Sequence, residues 1–180
     1  VFQKLEGQVT PEGLWLASTI TNAVNDRFRV MATAVGRVTP CAPGTANKTS
    51  NIQHSTSNIQ LENAGTVQVA DKVVRFLRPG VIEEYSVSMD GVRQDFVVLE
   101  KPGGASVPAS RLASSLAPPA KGELRLDLEV TGAQVEQTAS GAHLVLENSG
   151  RKIAYSRLRV TDATGKELSA RLEVASGILP

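Results

Sequence analysis

Between Lys72 and Lys101, three runs of strand-forming residues are separated by two tight-turn dipeptides, Pro79-Gly80 and Asp90-Gly91. That arrangement leaves this stretch little choice but an antiparallel meander. Asp-Gly suits a two-residue type I′ hairpin turn, in which both central residues take positive φ. With Asp90 and Gly91 as the turn, Met89 falls opposite Val92, Val87 opposite Gln94, Tyr85 opposite Phe96 and Glu83 opposite Val98. Ser88/Arg93, Ser86/Asp95 and Ile82/Leu99 then make up the other face. The first set is the expected core face, and a directly opposed Tyr85–Phe96 pair would add about 0.2–1 kcal/mol over Ala–Ala. Slipping the register by one residue would turn both rings to solvent. A type I or II Pro-Gly turn matches hairpin twist less well, so the register of Val73–Arg78 is less firmly set.

The chain of 180 residues is long enough for one large β domain or two small ones. Hydrophobic residues at 41% with only 4% aromatic point to a core of Val, Leu, Ile and Ala, with the single Trp15 as its expected anchor near the start. Nineteen basic and eighteen acidic residues are interspersed, which leaves no electrostatic footprint for nucleic acid or an anionic membrane. Cys41 stands alone, so an intrachain disulfide, a thiolate zinc site and a Cys-x-x-Cys redox pair are all excluded. No apolar run approaches the ~20 residues of a membrane span, and no membrane insertion is expected. The start at Val1 and the end at Ile178-Leu179-Pro180 suggest a piece of something longer.

Along the chain, Thr10-Pro11-Glu12-Gly13 is an expected turn before a strand from Leu14 to Ile20. Asn22–Asp26 gives polar turn chemistry, and Phe28, Val30, Ala32 and Ala34 share one side of a strand ended by Gly36. Residues 38–58 are dense in Thr, Ser, Asn and Gln and read as a long exposed loop, either a binding loop or a mobile insertion. Residues 102–122 are rich in Pro, Gly, Ala and Ser and read as a linker or insertion, with a turn of helix considered at Arg111–Leu116. Alternation then returns: Leu124, Leu126, Leu128 and Val130 face one way, and Leu144 and Leu146 point inward after a Ser140-Gly141 turn. A change of phase between Tyr155 and Leu158 suggests a bulge near Ser156 or Arg157. Ten or more short strands predict an all-β, antiparallel β-sandwich, Ig-like or related. Residues 1–101 would be the sandwich or a first β subdomain, and 123–180 a second subdomain or the completion of the same sandwich.

Little in the sequence points to catalysis. The two imidazoles, His54 and His143, stand in the polar loop and on the outward side of a strand, without zinc spacing or a nucleophile partner. Glu83 and Glu84 are strand neighbours on opposite faces and cannot share a proton. Glu83 is on the expected core face, where a carboxylate needs a partner, and Arg75 or Arg78 on the preceding strand could supply it as a structural ion pair. Asp162 and Glu167 bracket a turn that lacks the calcium-loop pattern, and Asn47-Lys48-Thr49 matches a glycosylation sequon. No catalytic, cofactor-binding or metal residue is assigned, and no cofactor is expected.

The run from Val73 to Pro102 resembles a segment in the N-terminal β-rich region of large secreted bacterial proteins that carry FG-GAP or related β-propeller repeats farther along. In those proteins a Tyr-x-x-x-(x)-Gly-x-x-Gln-x-Phe run precedes a Pro-rich break and a Gly-x-Leu-x-Leu strand. Tyr85, Gly91, Gln94, Phe96, Pro102, Gly122, Leu124 and Leu126 stand in those places. Leu158–Leu168 with Ala170 and Leu172 is similar to the closing strands of that region, so the likeness spans about 66–174. A Trp that accompanies the central Tyr in such proteins is absent here, and 103–121 is longer than their usual break. The matching positions are turn and core positions, and no catalytic residue carries over. The resemblance implies an exported, multi-domain bacterial parent.

The expected role is therefore a non-catalytic extracellular or cell-surface module that spaces or presents other domains of its parent. The alternative is a carbohydrate- or other ligand-binding module using loop 38–58. Self-association through edge strands is a further expectation, with Gly7–Thr10 and Arg171–Val174 as the candidate edges.

Overall fold

The computed structural model describes residues 4–20, 26–38, 56–99 and 123–175. Among them the strands are β1 (Leu5–Thr10), β2 (Gly13–Ser18), β3 (Arg27–Val38), β4 (Thr56–Gln60), β5 (Thr66–Ala70), β6 (Val73–Arg78), β7 (Val81–Ser88), β8 (Gly91–Val98), β9 (Glu123–Thr131), β10 (Ala133–Thr138), β11 (Gly141–Leu146), β12 (Lys152–Ser156), β13 (Val160–Thr161) and β14 (Glu167–Leu168). No described residue is helical, and the sheets are antiparallel, as the alternation in the sequence requires. The strands belong to two compact units. One comprises Val1–Val9, Leu14–Val30 and Val130–Pro180, the other Thr10–Gly13 and Met31–Glu129.

The second unit holds the meander as a four-stranded sheet, β5-β6-β7-β8. Its other layer is built on Met31–Val38 of β3, which pairs with β4 and with β9. Ala32, Val35, Leu61 and Val81 are buried between the layers, with Phe96, Val98, Leu126 and Leu128 packed against them, so this unit is sandwich-like. Met31, Ala32, Ala34 and Val35 are all buried, which means that β3 is covered on both faces. It runs through Gly36 to Val38, because Gly36, Arg37 and Val38 pair with Asn58, Ser57 and Thr56. The expected end at Gly36 and the expected extent of the polar loop are corrected accordingly. β4 has one apolar residue, Ile59, and is held by backbone pairing, so hydrophobic patterning does not reveal it. Residues 39–55, with Cys41, His54 and the Asn47 sequon, and residues 100–122 lie outside the described residues.

The meander's register differs by two residues from the expected one. Ser88 pairs with Gly91, Tyr85 with Gln94 and Glu83 with Phe96, so the turn residues are Met89 and Asp90. A two-residue slip preserves parity, so Glu83, Tyr85, Gln94, Phe96 and Val98 keep the expected inward face although Tyr85 and Phe96 are not directly opposed, whereas Val87 and Met89, expected on the core face, are exposed near the turn. The cause is a glycine placed after the turn. Gly91 has φ 129°, and Gly13 and Gly141 follow the turns at 11–12 and 139–140 in the same way with φ 128° and 151°. L-residues rarely take that conformation, so glycine opens each of these strands and the preceding pair makes the turn. The Ser140-Gly141 turn is displaced by one residue for the same reason. Pro79-Gly80 does form the earlier turn, with Gly80 at φ 85° as a type II turn requires, and it sets Arg78 opposite Val81 and Phe76 opposite Glu83.

In the first unit, β1 lies beside β2, and Leu16 and Ala17 of β2 pair with Phe28 and Arg27. β10-β11-β12 form a three-stranded sheet that buries Ala133, Ala142, Leu144 and Leu146. Trp15 is half-buried and does not anchor the core. The Arg27 and Arg29 guanidiniums stand 4.0 and 4.8 Å from its ring centroid, while the neighbouring Leu14 takes the buried side. The phase change after Tyr155 is a strand break and not a bulge, because Arg157 has φ 65° and ends β12. Arg171–Val174 is not a strand. Gln137 of β10 clips it, donating to the Leu172 carbonyl at 3.2 Å and accepting from the Val174 amide at 2.7 Å. Gly7–Thr10 does lie on an edge strand, β1.

Candidate functional site

The most concentrated polar chemistry among the described residues is buried in the second unit. The Pro79-Gly80 turn brings the end of β6 against the start of β7, so that Arg78 and Glu83 face inward on adjacent strands. Both side chains are almost wholly removed from water, at 3% and 2% exposure. A buried carboxylate is tolerated only when its lone pairs are filled, and here they are. Glu83 Oε1 accepts from Arg78 Nη2 and, at 3.0 Å, from the Ala32 amide. Oε2 accepts from the Tyr85 hydroxyl at 2.8 Å and from Gln94 Nε2 at 3.4 Å, and Gln94 also donates to the Tyr85 oxygen at 2.9 Å. Arg78 Nη1 donates to the carbonyls of Ala32 at 2.7 Å and Glu62 at 3.0 Å. Phe76 meets the Tyr85 ring edge-on at 5.7 Å.

Both backbone polar groups of Ala32 are thus satisfied by side chains of the opposite sheet. The ion pair does for β3 at this point what a neighbouring strand does elsewhere, and it bolts the two layers together. The small cavity beside it, about 10 Å³ and lined by Met31, Gly65, Phe76, Arg78 and Glu83 among others, has room for about one water. Ligand pockets run to several hundred cubic ångströms.

Of the two partners considered for Glu83, the structure selects Arg78; Arg75 pairs with Glu84 on the other face at 2.6 Å. Tyr85 and Gln94 join the group beyond the ion pair that the sequence predicts. Their signal was available, since both are polar residues on the parity of the core face. His143 is half-buried between Glu136 on β10 and Ala154 on β12, and Lys152 engages Glu136 at 2.7 Å. Asp26, read as part of a polar turn, is buried, and its Oδ1 accepts from the Ser149 amide at 3.1 Å. Among the described residues no three His, Cys, Asp or Glu side chains gather as metal ligands would. No protein-family model, curated protein or solved structure matches the chain.

Asp162 closes its turn by accepting at Oδ1 from the Thr164 hydroxyl at 2.6 Å, the Thr164 amide at 2.9 Å and the Lys166 amide at 3.0 Å. The Thr164 hydroxyl, then the Lys166 amide, hold its carboxyl below the ordinary carboxylate range. A depressed folded pKa stabilises the turn at pH above that range, and the stabilisation is lost as pH falls through the folded value. The amide shifts of Thr164 and Lys166 are expected to titrate together in NMR with a midpoint below that of an unstructured aspartate, and Thr164→Val should move it upward. A midpoint at the ordinary value would contradict the assignment.

Proposed function

We propose that this chain is a non-catalytic structural or presentation module of a larger bacterial protein that is secreted or displayed at the cell surface. The observation that carries the non-catalytic reading is the saturation of Glu83: both carboxylate oxygens are occupied by donors from the fold itself. An acid that serves as a general base needs a free lone pair within reach of a substrate proton. This one is sealed and spent on holding two sheets together. The exported setting rests on the resemblance of 66–174 to the N-terminal region of secreted repeat proteins. A reporter fused to the full-length gene is expected outside the cytoplasm, and its retention in the cytoplasm would refute the exported half of the reading.

A further inference from the structure

β5 lies at one end of the β5-β6-β7-β8 order and is largely exposed, with Val69 at 66%. Its sequence, Thr66-Val67-Gln68-Val69-Ala70, carries no charge. Charge is the usual protection of an edge, and β1, β8 and β12 have it, in Glu6, Arg93 with Asp95, and Lys152, whereas β4, also at a sheet end, is uncharged like β5 but carries a single apolar residue, Ile59. The edge of β10 is protected differently, by the clipped segment at Leu172–Val174.

We propose that β5 pairs with β5 of a second copy of this chain, antiparallel and centred on Gln68. The β5–β6 hairpin turns at Asp71-Lys72, so Ala70 and Val73 flank a two-residue turn as a hydrogen-bonded pair. Pairs alternate along an antiparallel ladder, so Gln68 and Thr66 also direct their backbone groups to β6. Val67 and Val69 direct theirs outward, to the edge that no described strand pairs with. A two-fold axis through Gln68 sets Val67 against Val69 of the partner subunit and Val69 against Val67 of the partner subunit. Both are hydrogen-bonded positions, so four N–H···O=C bonds form and no backbone group of the pair is left over. The same axis sets Gln68 beside its symmetry mate, where the two side-chain amides bond each other, and Thr66 against Ala70 of the partner subunit. The strand reads nearly the same in both directions, as self-pairing about one residue demands.

Sedimentation of the 180-residue chain across a wide concentration range tests this. The expected result is a shift from 19.1 kDa toward twice that mass. Val69→Pro removes an outward N–H without touching the β6 ladder, and proline is tolerated at such edge positions. It should hold the chain at single mass, as should Val69→Lys, which introduces the missing charge. In a Cys41→Ser background, Gln68→Cys should cross-link two chains on oxidation, because directly opposed strand residues stand within disulfide reach, whereas Thr66→Cys should not. A chain of single mass at every concentration, a dimer unchanged by both Val69 variants, or equal cross-linking at positions 66 and 68 would overturn the proposal.

Discussion

Arg78→Met is expected to destabilise the second unit by about 3–5 kcal/mol, the cost of leaving one member of a buried ion pair without its partner. The change removes three interactions at once: the guanidinium opposite Glu83, the donor to the Ala32 carbonyl and the donor to the Glu62 carbonyl. Glu83→Gln should cost less, because an amide oxygen still accepts from the Ala32 amide or the Tyr85 hydroxyl. Replacing both partners by apolar residues is often neutral for buried ion pairs. Here it should not be, because Ala32 would lose the partners of both its N–H and its C=O, at about 1–3 kcal/mol for each buried group left unmade. The double variant Arg78→Met/Glu83→Leu is thus expected to remain clearly less stable than the parent. Urea unfolding gives the totals, and hydrogen exchange at the Ala32 amide gives the local effect. Arg78→Met unfolding within about 1 kcal/mol of the parent would show that the pair does not bolt the sheets.

The reach of the sequence can be traced on these same residues. Period-two alternation identifies the buried faces of β7, β8 and β11 because burial selects parity, and parity survives an error of two residues in the turn. The position of the turn is harder to read. Asp-Gly is compatible with a turn that contains the glycine and with one that precedes it, and only backbone geometry separates them. Glu83 and its two possible arginines were legible, since a carboxylate on an apolar face must find a cation. Its engagement of Ala32 was not, because a contact to a backbone group leaves no trace in side-chain type. β4 escaped for a related reason: main-chain pairing supports it with one apolar residue. Trp15 shows the limit of composition, as its size suggested a core anchor, yet the strand's alternation gives the buried position to Leu14 and leaves the indole to Arg27 and Arg29.

Gly132→Ala should be the most damaging glycine substitution in the first unit, at about 2–5 kcal/mol. Gly132 joins β9 to β10 at φ 78°, a conformation that costs an L-residue about 1–2 kcal/mol. Space adds a second penalty. An added Cβ would fall inside the contact distance of the Arg27 carbonyl oxygen, with the Arg27 carbonyl carbon at 3.1 Å and Phe28 Cα at 3.3 Å. These are backbone atoms of β3, and Arg27 and Phe28 are held in their ladder by Ala17 and Leu16. They cannot swing aside as a side-chain end would, so relief requires shifting a strand, an overpacking cost of about 1–3 kcal/mol. Gly150 provides the control: its φ is 68°, but nothing lies within 4 Å of the position a Cβ would take. Gly150→Ala should therefore lose only the conformational part. Thermal and urea unfolding of the two variants separate the contributions, and equal losses would mean that the approach of Gly132 to β3 is not tight in solution.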